Sequence, residues 1–130
     1  MAEIKNKDDV KILVDEFYQK VRKDPIIGGV FASRISDDAW PIHLERMYSF
    51  WNTVLFGEAD YRGNPFSKHR DLPIQDIHFE RWINLLEETI AAHFEGEKAE
   101  EVIMRAHKMG ALFQSKLKYI RENDSYRNIM

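Results

Sequence analysis

Apolar positions in this chain recur every three or four residues in four long runs, and none alternates with the two-residue period of a strand. The first run, Val10, Leu13, Val14, Phe17 and Val21, forms one stripe of a helix that Asp8 or Asp9 can cap and that ends at Asp24-Pro25. The following stretch, "PIIGGVFASRIS", is short and apolar. Its Gly28-Gly29 pair is too permissive for a long helix, so it predicts a corner with one turn, anchored by Phe31. Asp37 or Asp38 then caps a second long helix, in which Pro41 is tolerated because a first-turn N–H has no partner within the helix. Its stripe is Trp40, Leu44, Met47, Trp51, Val54 and Leu55, and Gly57 closes it. After the loop "EADYRGN" comes a fragment from Pro65 to Asp71, too short to be a stable helix alone. Beyond Pro73 a third long helix carries Phe79, Trp82, Ile83, Leu86 and Ile90, with Gly96 as its stop. A fourth starts at Glu97 and carries Val102, Ala106, Met109, Phe113, Leu117 and Ile120, while residues 1–7 and 123–130 are expected to fray.

Four long amphipathic helices with short connectors predict an all-α fold in a single domain spanning 1–130. Helix count leaves a simple bundle and a globin-like sandwich both open. A chain of 130 residues with 44% apolar content has material for one core. Nineteen basic and twenty-two acidic side chains are spread without a basic block, which argues against nucleic acid as a partner. The start, "MAEIKNKDD", lacks the apolar centre of a signal peptide, and no stretch approaches the roughly twenty apolar residues of a membrane span. The expectation is a cytoplasmic protein without a membrane partner. Zero cysteines exclude disulfides, thiolate metal sites, iron–sulfur clusters and thioether-attached haem.

Several polar rings interrupt the apolar stripes. Tyr18 flanks the buried face of the first helix, His43 sits three residues after Trp40 and four before Met47, and Trp82 occupies the centre of the third stripe. Each alone has a packing explanation; together they present three donors that could converge on one cavity. His69 differs, because its fragment is polar, with Lys68, Arg70 and Asp71 as neighbours, and needs something to dock on. Taken alone it would be a surface-loop histidine. No helical His-x-x-x-His or Glu-x-x-His pattern stands out for non-haem iron or zinc. The two "HFE" triplets, at His78 and His93, place neighbours two apart that point away from each other and read as chance; His107 falls off its stripe and reads as surface or rim. Nucleophile elbows and phosphate loops are absent.

Three stretches, "FYQKVRKDP", "HLERMYSFWNTVLFGEADYRGNPFSKHRDLP" and "HFERWINLLEETI", carry Tyr18, Phe31, His43, Trp51, His69 and Trp82 in or between them, in that order. That ordered set resembles the truncated haemoglobins, specifically their third group, from the first helix to about Phe113. The resemblance implies a two-over-two helical sandwich enclosing haem b, with His69 as the proximal iron ligand. It further implies that Tyr18 and Trp82 donate hydrogen bonds in the distal pocket, that His43 stands on the distal helix, that Phe31 meets the haem face and that Met47 lines the distal side. Trp51, with Met47 and Phe50, would form apolar wall. The paired glycines of the other truncated groups are missing from their usual corners, and Gly28-Gly29 occupies a different one, in agreement with the third group.

The function so implied is binding of O2, and of NO or CO, at a histidine-ligated iron, with detoxification of nitric oxide or reactive oxygen as an associated role and an unidentified reductase as partner. A peroxidase-like enzyme acting on peroxide through the same haem, and a haem-free helical sensor or adaptor, are the alternatives. His69→Ala is expected to remove the axial ligand and so alter the haem spectrum; an unaltered spectrum in that variant rules out the proximal assignment.

Overall fold

The computed structural model of the protein describes residues 2–57 and 75–129. Their elements are α1 (Lys7–Lys23), α2 (Gly28–Ala32), a 3₁₀ turn (Asp37–Ala39), α3 (Trp40–Phe56), α4 (Asp76–His93) and α5 (Glu97–Ile129). Helix α1 packs on both α3 and α4, α4 packs on α5, and α3 touches α5 more lightly. The result is one helix pair, α1 and α3, laid over a second, α4 and α5, as the resemblance implied. Among the described residues the β-type contact is an isolated bridge between Ala2 and Phe94.

Local chemistry explains most element boundaries and corrects two of those expected. The cap of α1 is Asn6, whose side chain accepts the Asp9 N–H at 3.0 Å while the Asp9 carboxylate accepts the Lys5 N–H at 2.8 Å. Asp8 and Asp9 lie inside the first turn instead, where carboxylates favour the positive end of the helix. Nor does Asp37 or Asp38 cap α3: both belong to the 3₁₀ turn, and neither the turn nor α3 has a side-chain cap bond. Pro41 does fall in the first turn of α3, and Gly57, at φ 70°, ends it in the left-handed conformation that glycine adopts freely. Gly28 is needed for closeness, since a Cβ there would lie 2.8 Å from the Arg22 carbonyl oxygen.

The first residues, expected as a loose end, are tied to the second helix pair. Ile4 is fully buried, the Glu95 N–H donates to the Ala2 carbonyl, and the Glu3 carboxylate accepts the Lys98 and Ala99 N–H groups. Helix α5 is thus capped by a side chain from the first residues of the sequence. Its backbone stays helical to Ile129, through most of the tail expected to fray.

All five stripe residues of α1 are buried, together with Leu55, Leu86, Ile90, Val102 and Ala106. Phe31, Met47, Phe50, Trp82 and Met109 pack against that core but remain partly exposed. The core is therefore complete on one side of the sandwich and open on the other.

Asp24 governs the corner between α1 and α2. Its carboxylate accepts the Ile26 and Ile27 N–H groups at 2.8 and 3.1 Å and the Arg81 Nε–H, from α4, at 2.6 Å. Burial opposes its ionisation, but the Arg81 hydrogen bond, the two backbone donors and the guanidinium charge together hold the carboxyl below its ordinary value of 3.8. Because the folded value is depressed, the stabilisation is complete above that ordinary value and is lost as pH falls through the lower, folded one. Asp24→Asn is expected to lower unfolding free energy at neutral pH by about 2 kcal/mol. It should also flatten the acid limb of stability, as checked by urea denaturation from pH 7 to pH 3; a variant with the same midpoints as wild type at every pH contradicts this.

Candidate functional site

The open side of the sandwich is a cleft with about 810 Å³ of atom-free space, part of it continuous with solvent. Its walls come from every helix: Phe17 and Tyr18 from α1, Phe31 from α2, Met47, Phe50 and Trp51 from α3, His78, Phe79 and Trp82 from α4, and Met109 and Phe113 from α5. Aromatic and thioether side chains dominate this surface. A chain of this size does not leave several phenyl and indole rings half-covered beside a well-packed core without a reason. Completing the burial of each would contribute about 1 kcal/mol.

Polar groups in the cleft are few and well anchored. Tyr18 is 7% exposed. Its ring lies edge-on to Phe31 at 6.1 Å and to His43 at 5.2 Å, and tilted against Trp40 at 5.7 Å. Such a cage leaves the phenol little freedom. Burial pushes its ionisation far above the ordinary range, so the hydroxyl keeps its proton and remains a donor. Trp82 meets Phe17 edge-on at 6.0 Å, and its indole N–H can only donate.

Behind Tyr18 the cage is closed by Trp40, which is 3% exposed, stacks on Phe31 at 6.3 Å and carries the Arg22 guanidinium 4.6 Å above its ring. Arg22 in turn pairs with Asp37 at 3.0 Å. The end of α1 and the turn before α3 are thereby held together behind the cleft. Tyr48 of α3 reinforces the arrangement by donating to the Asp15 carboxylate of α1.

Of the residues singled out in the sequence, Tyr18, Phe31, Met47, Trp51 and Trp82 line the one cleft. His43 is not among its lining residues; its ring stands edge-on to Tyr18 and, at 5.3 Å, to Trp40. His69 and its fragment lie outside the described residues. Arg81 of α4 is engaged by Asp24. His107 is a surface residue that meets Glu87 at 2.9 Å. No group of three metal-ligating side chains is assembled among the described residues, and no helix there is long and apolar enough to cross a membrane.

The lining residues that sequence reasoning missed are chiefly Phe79, Met109 and Phe113, taken for ordinary stripe positions, and His78. The last had a readable signal: it lies one helical turn before Trp82, on the same face of α4.

The described residues suit a flat, largely apolar macrocycle: aromatic walls from each described helix, and a pair of donors set among them. Comparison with known proteins points the same way. The bacterial-like globin family matches residues 3–114. The chain is 36% identical over 115 residues to the group 3 truncated haemoglobin of Campylobacter jejuni, covering 86% of this chain and 91% of that one. It is 29% identical over 93 residues to a group 1 truncated haemoglobin of the alga Chlamydomonas moewusii, covering 69% of this chain and 52% of that one. In three dimensions it is similar to the crystal structure of the group III truncated haemoglobin from Campylobacter jejuni, with a TM-score of 0.83 over 90% of this chain and 95% of that one.

Proposed function

The chain belongs to the group III truncated haemoglobins of the bacterial-like globin family, and from that premise we propose that it binds O2, with NO and CO as further ligands, in the cleft between its two helix pairs. The family implies a haem cofactor. With no cysteine in the chain, thioether attachment is excluded and non-covalent haem b is the form proposed. When bound, haem would supply an iron able to take a histidine nitrogen and a diatomic ligand.

His69 is the proposed axial ligand, on the strength of the resemblance in "NPFSKHRDLP". Phe31, Met47 and Trp51 are the proposed apolar contacts, and their side chains exclude water from the cleft. Apolar contact provides the greater part of cofactor affinity, because the many rings involved outweigh any one hydrogen bond. Tyr18 and Trp82 act on the diatomic ligand: both donate, neither accepts a proton at neutral pH, and a ligand carrying partial negative charge is held by them more strongly than a neutral one. His43 serves by bracing the Tyr18 ring from behind. Detoxification of nitric oxide or reactive oxygen is the associated reaction class, for which a separate reductase would supply electrons.

The observation that supports this reading best is the setting of Tyr18, a buried phenol fixed as a donor within an otherwise aromatic cleft. A hydrogen bond to a charged acceptor is worth about 1.5–3 kcal/mol, a roughly ten- to a hundredfold effect on affinity. Tyr18→Phe is therefore expected to accelerate O2 dissociation by roughly tenfold or more in stopped-flow measurements. An unchanged rate in a variant that still takes up haem contradicts the role assigned to the hydroxyl.

A further inference from the structure

His78 is a cleft residue with a ring nitrogen that the function above does not use. It occupies the third position of α4 and forms a reciprocal cap with Gln75: the Gln75 side chain accepts the His78 N–H, and His78 Nδ1 accepts the Gln75 N–H at 2.8 Å. With Nδ1 held as acceptor, the proton of the neutral ring sits on Nε2, and no partner for Nε2 is found among the described residues. His78 is only partly buried and lies one turn from Trp82 toward the start of α4. A half-exposed imidazole N–H at the border of an apolar cleft suits the anionic, water-facing edge of a ligand whose body is apolar. Arg81, one turn further along α4, cannot serve there because Asp24 holds it.

We infer that His78 Nε2–H donates to a carboxylate of the bound macrocycle and so orients it in the cleft, an inference that rests on the haem-binding reading above. The cap has a second consequence. It fixes the imidazole plane, so the contact is a single hydrogen bond of set direction. Cofactor uptake and the integrity of the first turn of α4 thereby share one side chain, and the same turn carries Phe79.

The test compares wild type, His78→Gln and His78→Glu, each loaded with haem and with haem dimethyl ester, whose carboxylates are blocked. Both replacements can keep the reciprocal cap through a side-chain oxygen. Glutamine also retains an N–H donor; glutamate replaces it with a negative charge. Haem loss to an excess of an acceptor apoglobin is followed by absorbance, and thermal unfolding of the apo forms reports on the cap.

Haem loss from His78→Glu is expected to be roughly ten- to a hundredfold faster than from wild type, with His78→Gln close to wild type. The difference should vanish with the dimethyl ester, and apo-protein melting should be unaffected or raised. Equal haem loss from all three proteins overturns the inference, as does a defect that persists with the ester. A six-coordinate, bis-imidazole spectrum of wild type that disappears in His78→Gln overturns it also, by placing His78 on the iron. Failure of the wild type to take up haem at all overturns the functional reading itself, whereas each preceding result leaves that reading standing.

Discussion

The architecture depends on a mismatch between the core that four helices could fill and the core that their side chains do fill. Between α1, α3, α4 and α5 the Val, Leu, Ile and Ala positions close completely on one side, while phenyl, indole and thioether groups on the other stand around a cleft. Rings of that size could not collapse inward without moving helices that Asp24, Arg81, Asp15 and Tyr48 hold at fixed separation. The protein alone therefore forgoes some hydrophobic stabilisation, and a flat apolar ligand restores it. Binding and folding share the same apolar surface.

On this scaffold the few polar groups gain specificity from their surroundings. Tyr18 is rigid because Phe31, Trp40 and His43 enclose its ring, and it stays protonated because it is buried. Neither property belongs to tyrosine as such. In the same way the His78 ring is oriented by the backbone N–H of Gln75, the residue that caps its helix. Conformational restriction of this kind lowers the cost of holding a ligand in one orientation.

Helices and their buried faces were legible in the sequence because periodicity reports directly which side of a helix avoids water. Val10 to Val21 and Val102 to Ala106 sit where the spacing put them. Caps were less legible: Asn6 and Asp9 are both good first-turn residues, and the choice between them depends on which oxygen reaches which N–H. The Glu3 cap on α5 could not be read at all, since it joins residues 95 positions apart in the sequence. In the site, Tyr18 and Trp82 stood out as polar rings on apolar stripes, and the resemblance supplied their roles. Phe79 and Phe113 did not stand out, because a ring facing a cleft and a ring facing a core have the same helical spacing. His69 was singled out by the awkwardness of its short polar fragment, a signal that belongs to the sequence alone.

The most direct test of the whole account is a crystal structure of the haem-reconstituted protein. It is expected to have the macrocycle in the cleft, Phe31 and Met47 against its faces or edges, Tyr18 and Trp82 on one side of the iron and the His69 imidazole bonded to the metal from the other. A cleft closed by protein atoms, with haem elsewhere or His69 turned to solvent, would contradict it.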